Sequence, residues 1–215
     1  MKKASAFFLI TVLLLFSTDY LQSAGDLQDT KLDRLLRRLE KKYDTTEAFS
    51  YDFEQIKSLR QLTEPMRFTG TMVFRKPHFL RMEMRGEENL NLFVDGKSIW
   101  LEDLDFGEVE RFDFDEVSSE GRLARMLPPI FVSGMDEIRD LFHIRLDEER
   151  EQDVVEMTPK EEDLSSVRRI RFSVDSLSRI RWMRVDYVND DWTDTRFTGW
   201  KTMPKISEHY FRYRK

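Results

Sequence analysis

The residues of this 215-residue sequence that could do chemistry are three histidines, several carboxylate runs and scattered serines, and their spacing argues against most of it. His78, His143 and His209 stand far apart and form no H-E-x-x-H or similar ligand set. No serine sits in G-x-S-x-G, and no glycine-rich phosphate loop occurs. The chain has no cysteine, which excludes a thiolate nucleophile, disulfides and cysteine metal ligands. The carboxylates at Glu102-Asp103-Asp105, Asp113-Asp115-Glu116, Glu148–Glu151 and Glu161–Asp163 fall mostly in expected turns, where solvation explains them better than a paired acid and base. The sequence therefore points to no catalytic residue, no metal site and no cofactor, and the protein reads as a non-enzyme.

The informative pattern is apolar. Met66, Phe68, Gly70, Met72 and Phe74 alternate with polar residues, and Leu80, Met82 and Met84 repeat the alternation after a basic pair and a proline. Alternate residues of a strand share a face, so each series makes one apolar row, to which Leu92 and Trp100 are added from the following strands. Methionine is unbranched and polarizable and re-packs around varied apolar partners. Two readings stay open on composition: an ordinary core under a helix, which is the simpler one, or the lining of a cavity for a lipid tail. Lys76 has the parity of the apolar row, and Pro77 bars a regular central strand there. A lysine at such a corner is either solvated or a latch that bonds the carbonyls of a lid.

The elements that must position these rows follow from periodicity. Leu32, Leu35, Leu36, Leu39 and Tyr43 have the spacing of one helical stripe, predicting a helix over Asp29–Tyr43. After Thr46 the period is two. Asp95-Gly96 between apolar runs marks a hairpin. Further strands are expected at Val109–Phe114, Ile144–Asp147, Val154–Thr158, Val167–Val174, Ile180–Val188, Thr193–Trp200 and Ile206–Tyr213. A parity switch at Trp182-Met183 predicts a bulge. Leu123, Met126 and Leu127 before Pro128-Pro129, then Met135–Phe142, read as short helices. The fold class is mainly β: a strongly curved antiparallel sheet or unclosed barrel with helices over its concave apolar face.

Residues 1–25 differ from the rest. Lys2 and Lys3 precede an apolar run from Ala6 to Phe16, and small residues follow at Ser23, Ala24 and Gly25, the pattern of a secretory signal peptide. The run is short of the roughly 20 residues that span a bilayer. The expectation is an exported chain with a single domain over 26–215, located in the periplasm. The formal charge is −6, and the leader carries two lysines against one aspartate, so the remainder is more acidic still. An acidic domain is a poor partner for nucleic acid. Arg168-Arg169-Arg171 and Arg179-Arg181-Arg184 alternate with apolar residues and are expected on a solvated outer face. Trp100, Trp182, Trp192 and Trp200 are scattered, as core or rim aromatics would be.

Gly70 to Leu80 (GxxxFxKPxxL), Asp95–Trp100 (DGKxxW) and Thr158-Pro159-Lys160, followed by Asn189-Asp190, Phe197, Ile206 and Phe211, resemble in order and spacing the outer-membrane lipoprotein carrier family (LolA-type periplasmic chaperones). The resemblance runs from about Leu32 to Tyr213. It implies an apolar cavity for acyl chains, to which Met66, Phe68, Met72, Phe74, Leu80, Met82, Met84, Leu92 and Trp100 would contribute. The implied partners are acylated lipoproteins, an inner-membrane ABC-type releasing complex and an outer-membrane receptor, served by a monomer. A basic residue before the corner proline latches the lid in such proteins. It is usually arginine and is here Lys76, with Pro77 after it. Lysine keeps the charge but loses the planar donor fork. Leu80 stands where the best-known members carry an aromatic that contacts the extraction complex. The chain ends soon after Tyr213 and is expected to lack the additional C-terminal segment some members carry. The same fold would also suit a lipid- or glycolipid-binding protein or a lipoprotein-sensing regulatory domain.

Overall fold

The computed structural model describes residues 31–113, 135–150, 152–160 and 167–214. The expected signal segment and the helical stretch around Leu123–Pro129 lie outside these residues.

A helix over 31–44 (α1) leads into β1 (Ala48–Ser58), β2 (Met66–Arg75), β3 (Phe79–Gly86), β4 (Leu90–Asp95), β5 (Ser98–Asp103) and β6 (Glu108–Asp113). A short helix, α2 (Met135–Leu141), precedes β7 (Phe142–Arg150), β8 (Gln152–Pro159), β9 (Val167–Val174), β10 (Ile180–Tyr187) and β11 (Trp192–Thr202). The eleven strands form one antiparallel sheet in the order β6-β5-β4-β3-β2-β1-β11-β10-β9-β8-β7. Its two halves are zipped by β1 against β11, and β6 and β7 are not hydrogen-bonded to each other. The barrel is unclosed.

Register fixes which side chains face inward. Phe49, Tyr51 and Phe53 stand opposite Phe74, Met72 and Gly70, and Met72 and Phe74 stand opposite Met82 and Leu80. The row continues through Leu92 and Val94 to Leu101 and Ile99. On the other side it runs from Phe53 to Phe197 and on through Met183, Phe172 and Val155. Only the concave face is continuously apolar, as expected for an antiparallel sheet with one packed side. Gly70 is required in this row, because a Cβ there would strike the Glu83 carbonyl oxygen and the Phe53 ring.

Antiparallel order puts the turns Lys76–His78, Asp95–Lys97 and Asp175–Arg179 at one end of the sheet, here the foot. The connections 59–65, 87–89, 104–107 and 188–191 lie at the other, the mouth. α1 crosses the foot. Leu35, Leu36 and Leu39 are buried in the core with Phe49, Phe74, Leu80, Val94, Phe172 and Ile180. The predicted bulge is present as a register break between Ile180 and Trp182, and it lets Ile180 and Met183 both be buried. Gly199, at φ 64°, makes a similar correction in β11, after which Trp200 stacks on Phe49 at 4.5 Å.

One expected strand is not a strand. Glu208–Phe211 is a 3-10 turn capped by Ser207. The aromatics of this segment reach the outer face instead: Phe211 packs on Phe79 and Tyr213 stacks on Trp100. The outer face elsewhere is a ladder of ion pairs. Glu156, only 4% exposed, accepts from Arg145 and Arg169, and Asp186 accepts from Arg169, Arg171 and Arg184.

Burial alone would lift the Asp186 carboxyl, but the Arg184 hydrogen bond and the Arg169 and Arg171 guanidiniums outweigh it and hold it below the ordinary carboxylate value. A depressed folded pKa contributes stability that is fully present above about pH 4 and is lost as pH falls through the folded value. Asp186→Asn should therefore cost stability at neutral pH, and the difference from wild type should shrink from about pH 5 toward pH 2. Denaturant melts across that range would show it.

Candidate functional site: an apolar cavity at the mouth

Below α1 the concave face is packed; toward the mouth it is hollow. The hollow encloses about 470 Å³ and is lined by Phe53, Met72, Met82, Met84, Leu90, Leu92, Leu101, Met183, Val185, Tyr187 and Phe197. A volume of that size falls within the roughly 300–1,000 Å³ typical of ligand pockets. Lys57, Asn189, Asp191 and Thr193 add polar groups on the mouth side. Within the wall Gln55 donates to the Thr195 hydroxyl at 2.9 Å, so that polar pair is satisfied and the surface left for a guest is mainly hydrocarbon and thioether.

The structure divides the predicted lining residues into four groups. Met72, Met82, Met84 and Leu92 line the hollow. Phe74 and Leu80 share their face but belong to the packed core at the foot, and Met66 and Phe68 have the right parity without lining the hollow. Trp100 is a correction. Strand alternation turns Ile99 and Leu101 inward and Trp100 outward, where Tyr213 covers it and the Arg111 guanidinium lies over its ring. The C-terminal contributors Met183, Val185, Tyr187 and Phe197 were missed. Their alternation was visible, but only the register of β1 against β11 brings them opposite the methionine rows.

Lys76 lies in the turn after β2, and its Nζ donates to the Asp44 carbonyl at 2.8 Å and to the Asp44 carboxylate at 3.2 Å. The last four carbonyls of a helix lack intrahelical partners. Here Thr45 and Thr46 bond those of Lys41, Lys42 and Tyr43, and Lys76 takes that of Asp44. It is the one bond in this set from outside α1 and its exit, and it ties the helix to the corner that holds Pro77. A second tie lies deeper, in a partly buried position: the Tyr43 and Tyr51 hydroxyls are 3.1 Å apart. Burial pushes the Tyr43 phenol up to about 12, and it pushes Tyr51 the same way, with Tyr43 adding to the effect.

An unclosed eleven-stranded sheet with a helix across its foot and a methionine-rich hollow at its mouth defines a half-barrel fold. The sequence profile described as "Outer membrane lipoprotein carrier protein LolA" matches residues 44–214, and the chain belongs to that family. Comparison with curated protein sequences finds no match. Among solved structures, a DUF1329 family protein from Desulfovibrio piger is similar at 14% identity and TM-score 0.50, over 84% of this chain and 95% of that one. Mycobacterium tuberculosis lipoprotein LppX is similar at 9% identity and TM-score 0.48, over 83% of this chain and all of that one. A putative outer membrane lipoprotein-sorting protein domain from Vibrio parahaemolyticus aligns at 9% identity and TM-score 0.47, over 83% and 94%. The first of these likenesses supports the fold. Among the described residues no helix is long and apolar enough to cross a membrane.

Two predictions follow from the ties on α1. Lys76→Leu should free the end of the helix at a cost of about 1 kcal/mol, since the pair is partly exposed, and should speed amide exchange over 31–44 more than in the sheet. The raised Tyr43 pKa contributes stability that is complete below about pH 10 and lost as pH rises toward 12. Tyr43→Phe should remove part of that alkaline loss, which far-UV melts from pH 9 upward would measure.

Proposed function

We propose that the hollow at the mouth shields the acyl chains of lipoproteins while the protein carries them through the periplasm, from an inner-membrane ABC-type releasing complex to an outer-membrane receptor. The observation that carries this reading is the clustering of Met72, Met82, Met84 and Met183 with Phe53 and Phe197 around an open cavity in a LolA-family chain. The leader of residues 1–25 supports export to the compartment where such cargo is exposed to water.

Energetics set the design. Burying an acyl chain gains roughly 0.8 kcal/mol per methylene, so a fully enclosed chain would be held too tightly for hand-over. A helix competing for the same concave face lowers the net affinity, because cargo that reaches under α1 must displace Leu35, Leu36 and Leu39. Lys76 and the Tyr43–Tyr51 pair set the strength of the empty state, and cargo shifts the balance by its differential affinity for the opened one. The role is that of a binding protein, and no step in it makes or breaks a covalent bond.

The test is direct binding of a palmitoylated lipopeptide by the purified protein. Met82→Glu, which puts a charge into the hollow, should weaken binding by about a hundredfold, the cost of a buried unpaired carboxylate being several kcal/mol. Unchanged affinity in that variant, with the fold intact by circular dichroism, would remove the hollow from the account.

A further inference from the structure

β6 is the terminal strand of the sheet order. Among the described residues β6 pairs only with β5, and all of its residues but Phe112 are exposed. A strand edge of this kind presents a row of backbone donors and acceptors to an incoming strand. The edge is continuous with the cavity: Leu101, which lines the hollow, stands directly opposite Glu110, so an added strand would lie two strand spacings, about 10 Å, from the cavity wall.

The flanking side chains define what fits. Glu110 and Glu108 pair with Leu101 and Asp103 and so share the concave side, and neither forms an ion pair or hydrogen bond among the described residues. On the outer side Arg111 is already engaged, bonding Ser98 and lying over Trp100, beside Val109. The adjoining hairpin is held in shape by Asp103, which accepts from the Asp105 and Phe106 amides, and by Asp105, which accepts from Asn89. That hairpin presents Phe106 at 79% exposure. Like-charged strands repel across such an edge, whereas opposite charges attract.

Building on the carrier reading, we propose that the β6 edge takes the polypeptide of the carried molecule as an added strand. The segment it fits is extended and has Lys or Arg at alternate positions facing Glu108 and Glu110. The lipid would enter the mouth while the adjacent chain zips along β6, with Phe106 at the end of the strip.

Three probes test this on the full protein: an unlipidated peptide with alternating lysines, the same peptide palmitoylated, and a glutamate counterpart. The lysine peptide is expected to bind and to slow amide exchange in β6, and the glutamate peptide is not. E108K/E110K should weaken both lysine peptides by about tenfold, with E108Q/E110Q between, from cross-strand pairs of modest individual strength. Equal binding of the glutamate peptide, protection away from β6, or indifference of both lysine peptides to the charge reversal would overturn the inference. A palmitoyl gain that survives the reversal undiminished would then leave the carrier reading standing. No palmitoyl gain at all would overturn the carrier reading, and with it the assignment of the segment to cargo.

Discussion

An apolar face on a curved sheet must be taken out of water, and among the described residues α1 and the short α2, through Ile138, cover only part of it. α1 buries one stripe, Leu35, Leu36 and Leu39, over the foot of the sheet. Among the described residues the concave face toward the mouth is left partly hollow. Most of the other features follow from that mismatch. The aromatic cluster of Tyr43, Phe49, Tyr51, Phe74 and Trp200 packs under the end of the helix. The methionines sit where packing stops. Protein interiors are normally close-packed, so a cavity of this size is tolerated only where the lining is soft and a guest can complete it.

Among the described residues the polar ties on α1 sit at its two ends. A lysine bonding one carbonyl and a phenol pair bonding each other are local ties at one end of the helix. Its other end carries the Lys31–Asp153 and Arg139–Asp33 ion pairs, both largely exposed and hence weak. Besides these ties, Leu35, Leu36 and Leu39 are buried against the sheet, with Leu32 and Tyr43 packed beside them. The outer face is built the other way. Its arginine and carboxylate ladder links β7 through β10 and stiffens the wall.

Much of this was legible in the sequence because strand alternation is a local property. The rows at Met66–Phe74 and Leu80–Met84, the Asp95-Gly96 hairpin and the bulge near Trp182 each follow from a few neighbouring residues. What was not legible depends on how distant strands align. That Met72 lines the hollow while Phe74 fills the core is decided by where α1 crosses the sheet, which no local pattern contains. Trp100 was misplaced because its motif was read ahead of its parity: with Ile99 and Leu101 inward, it faces out. The segment at Ile206–Tyr213 alternated like a strand, yet its aromatics had an outer platform in Phe79 and Trp100 to cover, and a short turn reaches it better.

The central claim is that the guest's hydrocarbon sits among the methionines at the mouth. Methionine-methyl nuclear magnetic resonance reads this directly, since the side chains in question carry their own probe. On titration with a palmitoylated lipopeptide, the Met72, Met82, Met84 and Met183 methyls should shift and show contacts to the acyl chain, while Met203 stays still. Shifts confined to Met66 or Met203, or four unmoved methyls in a protein that has bound the lipopeptide, would contradict the account.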